Sequence, residues 1–148
     1  MAALPASVLF CCDHNAVRSP MAESMMKQLH GARVFVQSAG VKHDMEVDPF
    51  AVSVCEEIGL KLEAHRARSF EELTEGHGPI DSYEMIVALS PAAQRAALDH
   101  TRWYATDVRY WPILDPTGIG ETRERKLDAY RQTRDQILER IKAEFPPF

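Results

Sequence analysis

The amino-acid sequence predicts an α/β fold in which a parallel sheet is covered by helices on both faces. Four short apolar segments alternate along the chain with longer segments of helical periodicity, the pattern of strands joined by crossover helices. Ser-Pro or Asp-Pro pairs stand at the head of three helical segments, at Ser19-Pro20, Asp48-Pro49 and Ser90-Pro91. Ser or Asp at the cap followed by Pro at the first helical position is a start signal. The 148 residues suffice for one core but not for two, so residues 1–148 are expected to form a single domain.

In order, Ser7 to Cys12 is a continuous apolar run, as expected of a strand buried on both faces. Polar residues Asp13 to Arg18 follow, then a helix from Ser19-Pro20 with Met21, Met25 and Leu29 on one stripe and a stop at Gly31. Val34 to Ser38 is the second strand and ends at Ala39-Gly40. A loop leads to a helix capped by Asp48 that runs through Val52, Cys55 and Ile58 to Gly59. After a mostly polar stretch come the third strand, Glu84 to Leu89, and the helix at Ser90-Pro91. A fourth strand lies near Asp107 to Trp111. The last helix, Thr122 to Glu144, carries Leu127, Tyr130, Ile137, Leu138 and Ile141 on one face.

Composition narrows the function. A hydrophobic share of 45% and a charged share of 26% are those of a globular protein. No apolar run approaches the roughly 18 residues of a membrane helix, and Met1 to Ser7 lacks the basic start of a secretory signal. A cytoplasmic protein without membrane contact is expected. Net charge is −5 with scattered Lys and Arg, which argues against a nucleic-acid surface. The three cysteines make no disulfide framework and no zinc spacing, so no metal or cofactor is expected.

Ligands of parallel sheets bind beyond the carboxyl ends of the strands, which directs attention to Cys12-Asp13-His14-Asn15-Ala16-Val17-Arg18-Ser19. A phosphate needs many converging N–H donors, and a loop running into a helix N-terminus supplies them. Arg18 adds a two-pronged, charge-assisted contact. The same positive field favours the thiolate of a cysteine held beneath the phosphorus. Cys12 is thus the candidate nucleophile, with Ser19 placed to hydrogen-bond its sulfur and Asn15 to hold a tight turn. Asp13, His14, Asn15, Ala16, Val17 and Ser19 are the candidate substrate-binding positions. A cysteine and an arginine six apart are common; the strand before and the helix after give this pair its meaning. Cys11 reads as a buried inert thiol, and Asp13 as loop surface rather than catalyst.

Cys12 through Glu23, CDHNAVRSPMAE, resembles the signature loop and first helix of low-molecular-weight protein tyrosine phosphatases. Ser38-Ala39-Gly40 is similar to that family's second landmark, and Asp115-Pro116 to its acid loop. The resemblance implies a four-stranded parallel sheet in a three-layer domain and metal-free hydrolysis of phosphomonoesters through a cysteinyl-phosphate. It also implies Cys12 as nucleophile, Arg18 as phosphate clamp and Asp115 as general acid and base. One carboxyl group can serve both proton transfers, although Asp-Pro is also a plain turn signal. The expected ligands are a phosphorylated protein or small phosphomonoester, with inorganic phosphate or arsenate in the loop. A monomer or weak dimer is the expected state.

The sequence departs from the family in three places. His14 stands where glycine is usual, Thr117-Gly118 follows the acid where tyrosine-specific members carry tyrosines, and the loop after Gly40 has no tryptophan. Two other readings stay open. One is an arsenate reductase of the same fold, which would need an external thiol because Glu84 to Leu98 holds no cysteine and Cys55 reads as core. The other is a non-catalytic phosphate-binding module. Met45 and Trp111 are candidates either for the pocket rim or for core packing. His43, His65, His77 and His100 read as solvent-facing or structural.

Overall fold

The computed structural model describes residues 4–102 and 104–146. Its order is β1 (Ser7–Cys12), α1 (Arg18–His30), β2 (Phe35–Gly40), α2 (Pro49–Glu56), α3 (Phe70–His77), a 3₁₀ turn (Ile80–Ser82), β3 (Met85–Ala88), α4 (Pro91–Thr101), β4 (Asp107–Tyr110) and α5 (Arg123–Glu144). The strands form one parallel sheet in the order β2-β1-β3-β4. The expected α/β class and four-stranded sheet are therefore present.

Strand alternation sorts the core into two layers. Val8, Phe10 and Cys12 of β1, with Met85 and Val87 of β3, pack beneath α1, α2 and α5. Leu9, Cys11, Ile86 and Ala88 face the other way, against α3 and α4. Trp111, 1% exposed, lies between Phe10 and Phe145 at ring-centroid distances of 5.9 and 6.0 Å. It is a core residue and takes no part in the pocket rim. Among the described residues no helix is long and apolar enough to cross a membrane.

The chain leaves β1 for β2 on one side, then crosses to β3 on the other. The strand order thus reverses at β1, and a crevice opens beyond its carboxyl end. Cys12 is the last residue of that strand.

Local expectations were met unevenly. Asp48 caps α2 as predicted, its Oδ1 accepting from Phe50 N at 2.8 Å, but the helix ends at Glu56 rather than Gly59. Ser19 does not cap α1. The helix begins at Arg18 with Val17 at the cap position and no side chain bonded to its first turn. The polar stretch after Leu60 hides α3, whose start is a capping box between Ser69 and Glu72.

Candidate active site

The segment between β1 and α1 is held in shape from behind. Asn15 is fully buried with φ of 55°, a left-handed conformation that asparagine tolerates better than most residues. Its Nδ2 donates to Ser19 Oγ at 2.8 Å and to Ser38 Oγ at 2.9 Å. Its Oδ1 accepts from Arg68 N at 3.0 Å and lies 3.1 Å from His65 Nε2. An oxygen facing that ring nitrogen can only accept, so His65 carries its proton on Nε2. Burial pushes the His65 pKa down, in the direction of the neutral ring.

Those bonds orient the thiol. Ser19 Oγ already accepts from Asn15, which leaves its own proton for Cys12 Sγ, 2.9 Å away. Ser38 Oγ in turn donates to the buried Glu23. Gly40, at the end of β2, is needed for closeness: a Cβ there would stand 2.7 Å from both Asn15 N and His14 C. Backbone bonds from Val41 N to Cys12 O, Lys42 N to Asp13 O and Asp48 N to Ala16 O, each 3.0 Å, finish the frame.

Arg18 lies 7% exposed under the opening. Its Nη1 donates to Leu89 O and Ile113 O, both at 3.2 Å. Its Nη2 faces two carboxylates, Asp13 Oδ2 and Asp115 Oδ2, each at 3.7 Å. Asp115 is half exposed, and its Oδ1 accepts from Thr117 N at 3.1 Å and from the Thr117 hydroxyl. Its loop is fastened to α5: Thr133 Oγ1 donates to Leu114 O at 3.0 Å, and Leu114 N donates to Gln136 Oε1 at 3.2 Å.

Together these groups line a cavity of about 210 Å³, bounded by Cys12, Asp13, His14, Ala16, Val17, Arg18, Met45, Asp115 and Thr117. The backbone of a loop entering a helix suits an oxyanion there. The side chains of Asn15 and Ser19 lie behind the loop as its scaffold. Asp13, a candidate substrate-binding position also read as loop surface, is half-buried on the cavity wall, with Ser90 Oγ donating to its Oδ1 at 2.6 Å. His14 sits at the mouth, its Nδ1 2.6 Å from Asp44 Oδ1. Of the two readings of Met45, rim or core, the structure shows the rim: it lines the cavity.

Cys11 is fully buried on the far face, where burial first and the Cys12 charge second push its pKa well up. Cys55 is buried on α2, and burial raises it to about 12. Sequence reasoning missed Glu23, Ser38, His65 and Arg68 as the scaffold behind the loop. Ser38 and Glu23 carried a signal, through Ser38-Ala39-Gly40 and as the end of CDHNAVRSPMAE, and His65 was read only as solvent-facing or structural. Arg68 is an ordinary polar residue until the fold brings these groups together.

A cysteine at the end of a central parallel strand, an arginine at the head of the next helix and an aspartate opposite thus line one cavity. Residues 7–145 match the low molecular weight phosphotyrosine protein phosphatase family. The chain belongs to that family. It is similar to the protein-arginine-phosphatase of Bacillus subtilis, 29% identical over 144 residues and covering 91% of each chain. It is also similar to the glutaredoxin arsenate reductase of Synechocystis, 26% identical over 135 residues and covering 90% of this chain and 92% of the relative. Among solved structures, the low molecular weight protein tyrosine phosphatase from T. tengcongensis superposes with a TM-score of 0.74 at 25% identity, covering 92% of this chain and 95% of the other.

Proposed function

We propose that the protein hydrolyses phosphomonoesters through a phosphorylated cysteine, on phosphotyrosine of a protein or on a small ester. The convergence of Cys12, Arg18 and Asp115 on one cavity carries this reading. Cys12 Sγ attacks phosphorus and forms the S–P bond as the P–O bond to the leaving group breaks. Asp115 gives its proton to the departing oxygen, then takes one from the water that attacks phosphorus and frees Cys12. Arg18 and the loop amides hold the equatorial oxygens, where preorganised donors stabilise the charge that develops.

The test compares leaving groups. General acid catalysis contributes about 10²–10⁴-fold, so Asp115→Asn should lower kcat by that order on phenyl phosphate. The loss should be smaller for p-nitrophenyl phosphate in the pre-steady-state burst. Cys12→Ser should abolish turnover yet still bind inorganic phosphate. Equal burst losses on both esters would remove Asp115 from the acid role.

A second reading, arsenate reduction, is favoured by the Synechocystis relative. Arsenate would enter as phosphate does and Cys12 Sγ would displace a hydroxide from arsenic. Two electrons would then come from external thiols, which leave as a disulfide. Steady arsenite production with a small thiol, without any aryl phosphate hydrolysis on the same preparation, would establish this reading instead.

A further inference from the structure

Asp13 stands in an unfavourable place for an anion site. It follows the candidate nucleophile directly, lines the same cavity, and directs Oδ2 at Arg18 Nη2 from 3.7 Å. Its position is built: Ser90 Oγ donates to its other oxygen at 2.6 Å and also accepts from Ala93 N at 3.2 Å, as the cap of α4. Its backbone oxygen is fastened by Lys42 N at 3.0 Å. Asp115 closes on the same Nη2 from 3.7 Å, while Nη1 is spent on two carbonyls. An oxyanion entering the loop must therefore approach the guanidinium beside a carboxylate that cannot swing away without releasing Ser90.

Taking the loop as the oxyanion site, we propose that Asp13 is a specificity-determining residue that weakens the loop for doubly charged anions. Coulomb repulsion is proportional to the charge of the guest, so Asp13 opposes a dianion twice as strongly in free energy as a monoanion of the same shape. The penalty falls on substrate and product alike: a phosphomonoester is mainly a dianion at neutral pH, and inorganic phosphate is a mixture of mono- and dianion. On the product side Asp13 opposes retention of phosphate by Arg18 and the loop amides and hastens its departure.

Asp13→Asn removes the charge while keeping an oxygen to accept from Ser90. A neighbouring like charge shifts such an equilibrium by about a factor of ten or more. Calorimetry should show Asp13→Asn binding phenylphosphonate dianion about tenfold more tightly than the unaltered protein. Its monomethyl ester, a monoanion, should gain only about threefold, the square root of that factor. The inhibition constant of inorganic phosphate should fall with the dianion. Asp13→Ser, a second neutral variant, should move in the same direction, and Asp13→Glu should not. Equal gains for dianion and monoanion, or weaker binding in both neutral variants, would overturn the proposal. Failure of every protein, the unaltered one included, to bind either anion would remove the oxyanion site and the proposal with it.

Discussion

At the scale of single residues, the site depends on Asn15 as much as on the groups that face the cavity. One side chain meets a left-handed backbone and supplies bonds to Ser19, Ser38, Arg68 and His65. Two costs separate on mutation. Alanine loses the bonds and is strained at φ of 55°, whereas glycine loses the bonds alone. Asn15→Ala should destabilise by about 2–4 kcal/mol, from the left-handed backbone and the buried donors left without acceptors. Asn15→Gly should cost about 1 kcal/mol less. Urea unfolding measures both, and equal losses would show that the backbone conformation contributes nothing. The candidate residues of the loop stood out in the sequence because a thiol, an arginine and a helix start stand within one short segment. His65 and Arg68 did not, because each is separated from Asn15 by 50 residues or more.

At the scale of elements, the segment 41–48 forms one side of the opening through Met45. Two histidine–carboxylate contacts tie it down: His14 to Asp44 at 2.6 Å, and His43 to Glu72 of α3 at 2.7 Å. His43 also meets Glu46 at 2.6 Å. The bond to Glu46, then that to Glu72, raises its pKa above the ordinary 6.5. A raised value in the folded state means stability that is complete below the unfolded value and lost as pH rises through the folded one. The melting temperature of His43→Gln should therefore fall below that of the parent at about pH 6 and match it by about pH 8.5. The difference should shrink in 1 M salt, since these exposed charges are screened. A gap of the same size at both pH values would assign His43 a packing role. The tether on α3 also explains a missed helix. Only Phe70 and Leu73 of that element are buried, too few to make an apolar stripe, although Ser69 and Glu72 have the spacing of a capping box.

For the whole molecule, alternating segments announced an α/β fold, and periodicity located α5 to within a residue. The order β2-β1-β3-β4 could not be read from the chain. It is set by which faces the helices cover and by the register that brings Cys12 beside Gly40. The parallel strands bring their carboxyl ends together, so the end of β1 supplies Cys12 and the loops after β2, β3 and β4 supply Met45, Ser90 and Asp115. Ser19 was read both as a helix cap and as a partner of the Cys12 sulfur, and only the cap fails. A Ser-Pro pair marks a helix start whether or not the hydroxyl caps it, and here the fold turns that hydroxyl to the sulfur.

The opposite facing of Cys11 and Cys12 bears on survival under oxidants. Hydrogen peroxide converts a reactive thiolate to sulfenic acid, which a neighbouring thiol can trap as a disulfide with loss of water. Adjacent in sequence, Cys11 nevertheless points through the sheet into the other core layer, and Cys55 stays buried and protonated on α2. Sulfenic acid at Cys12 should consume a second peroxide and stop at sulfinic acid. Mass spectrometry should find two oxygens added at Cys12 and no internal disulfide, with activity that dithiothreitol does not restore. Glutathione supplied during exposure should cap the sulfur as a mixed disulfide and make the loss reversible. A peroxide-induced crosslink between Cys12 and either other cysteine would show that the sheet and α2 open far enough for the sulfurs to meet.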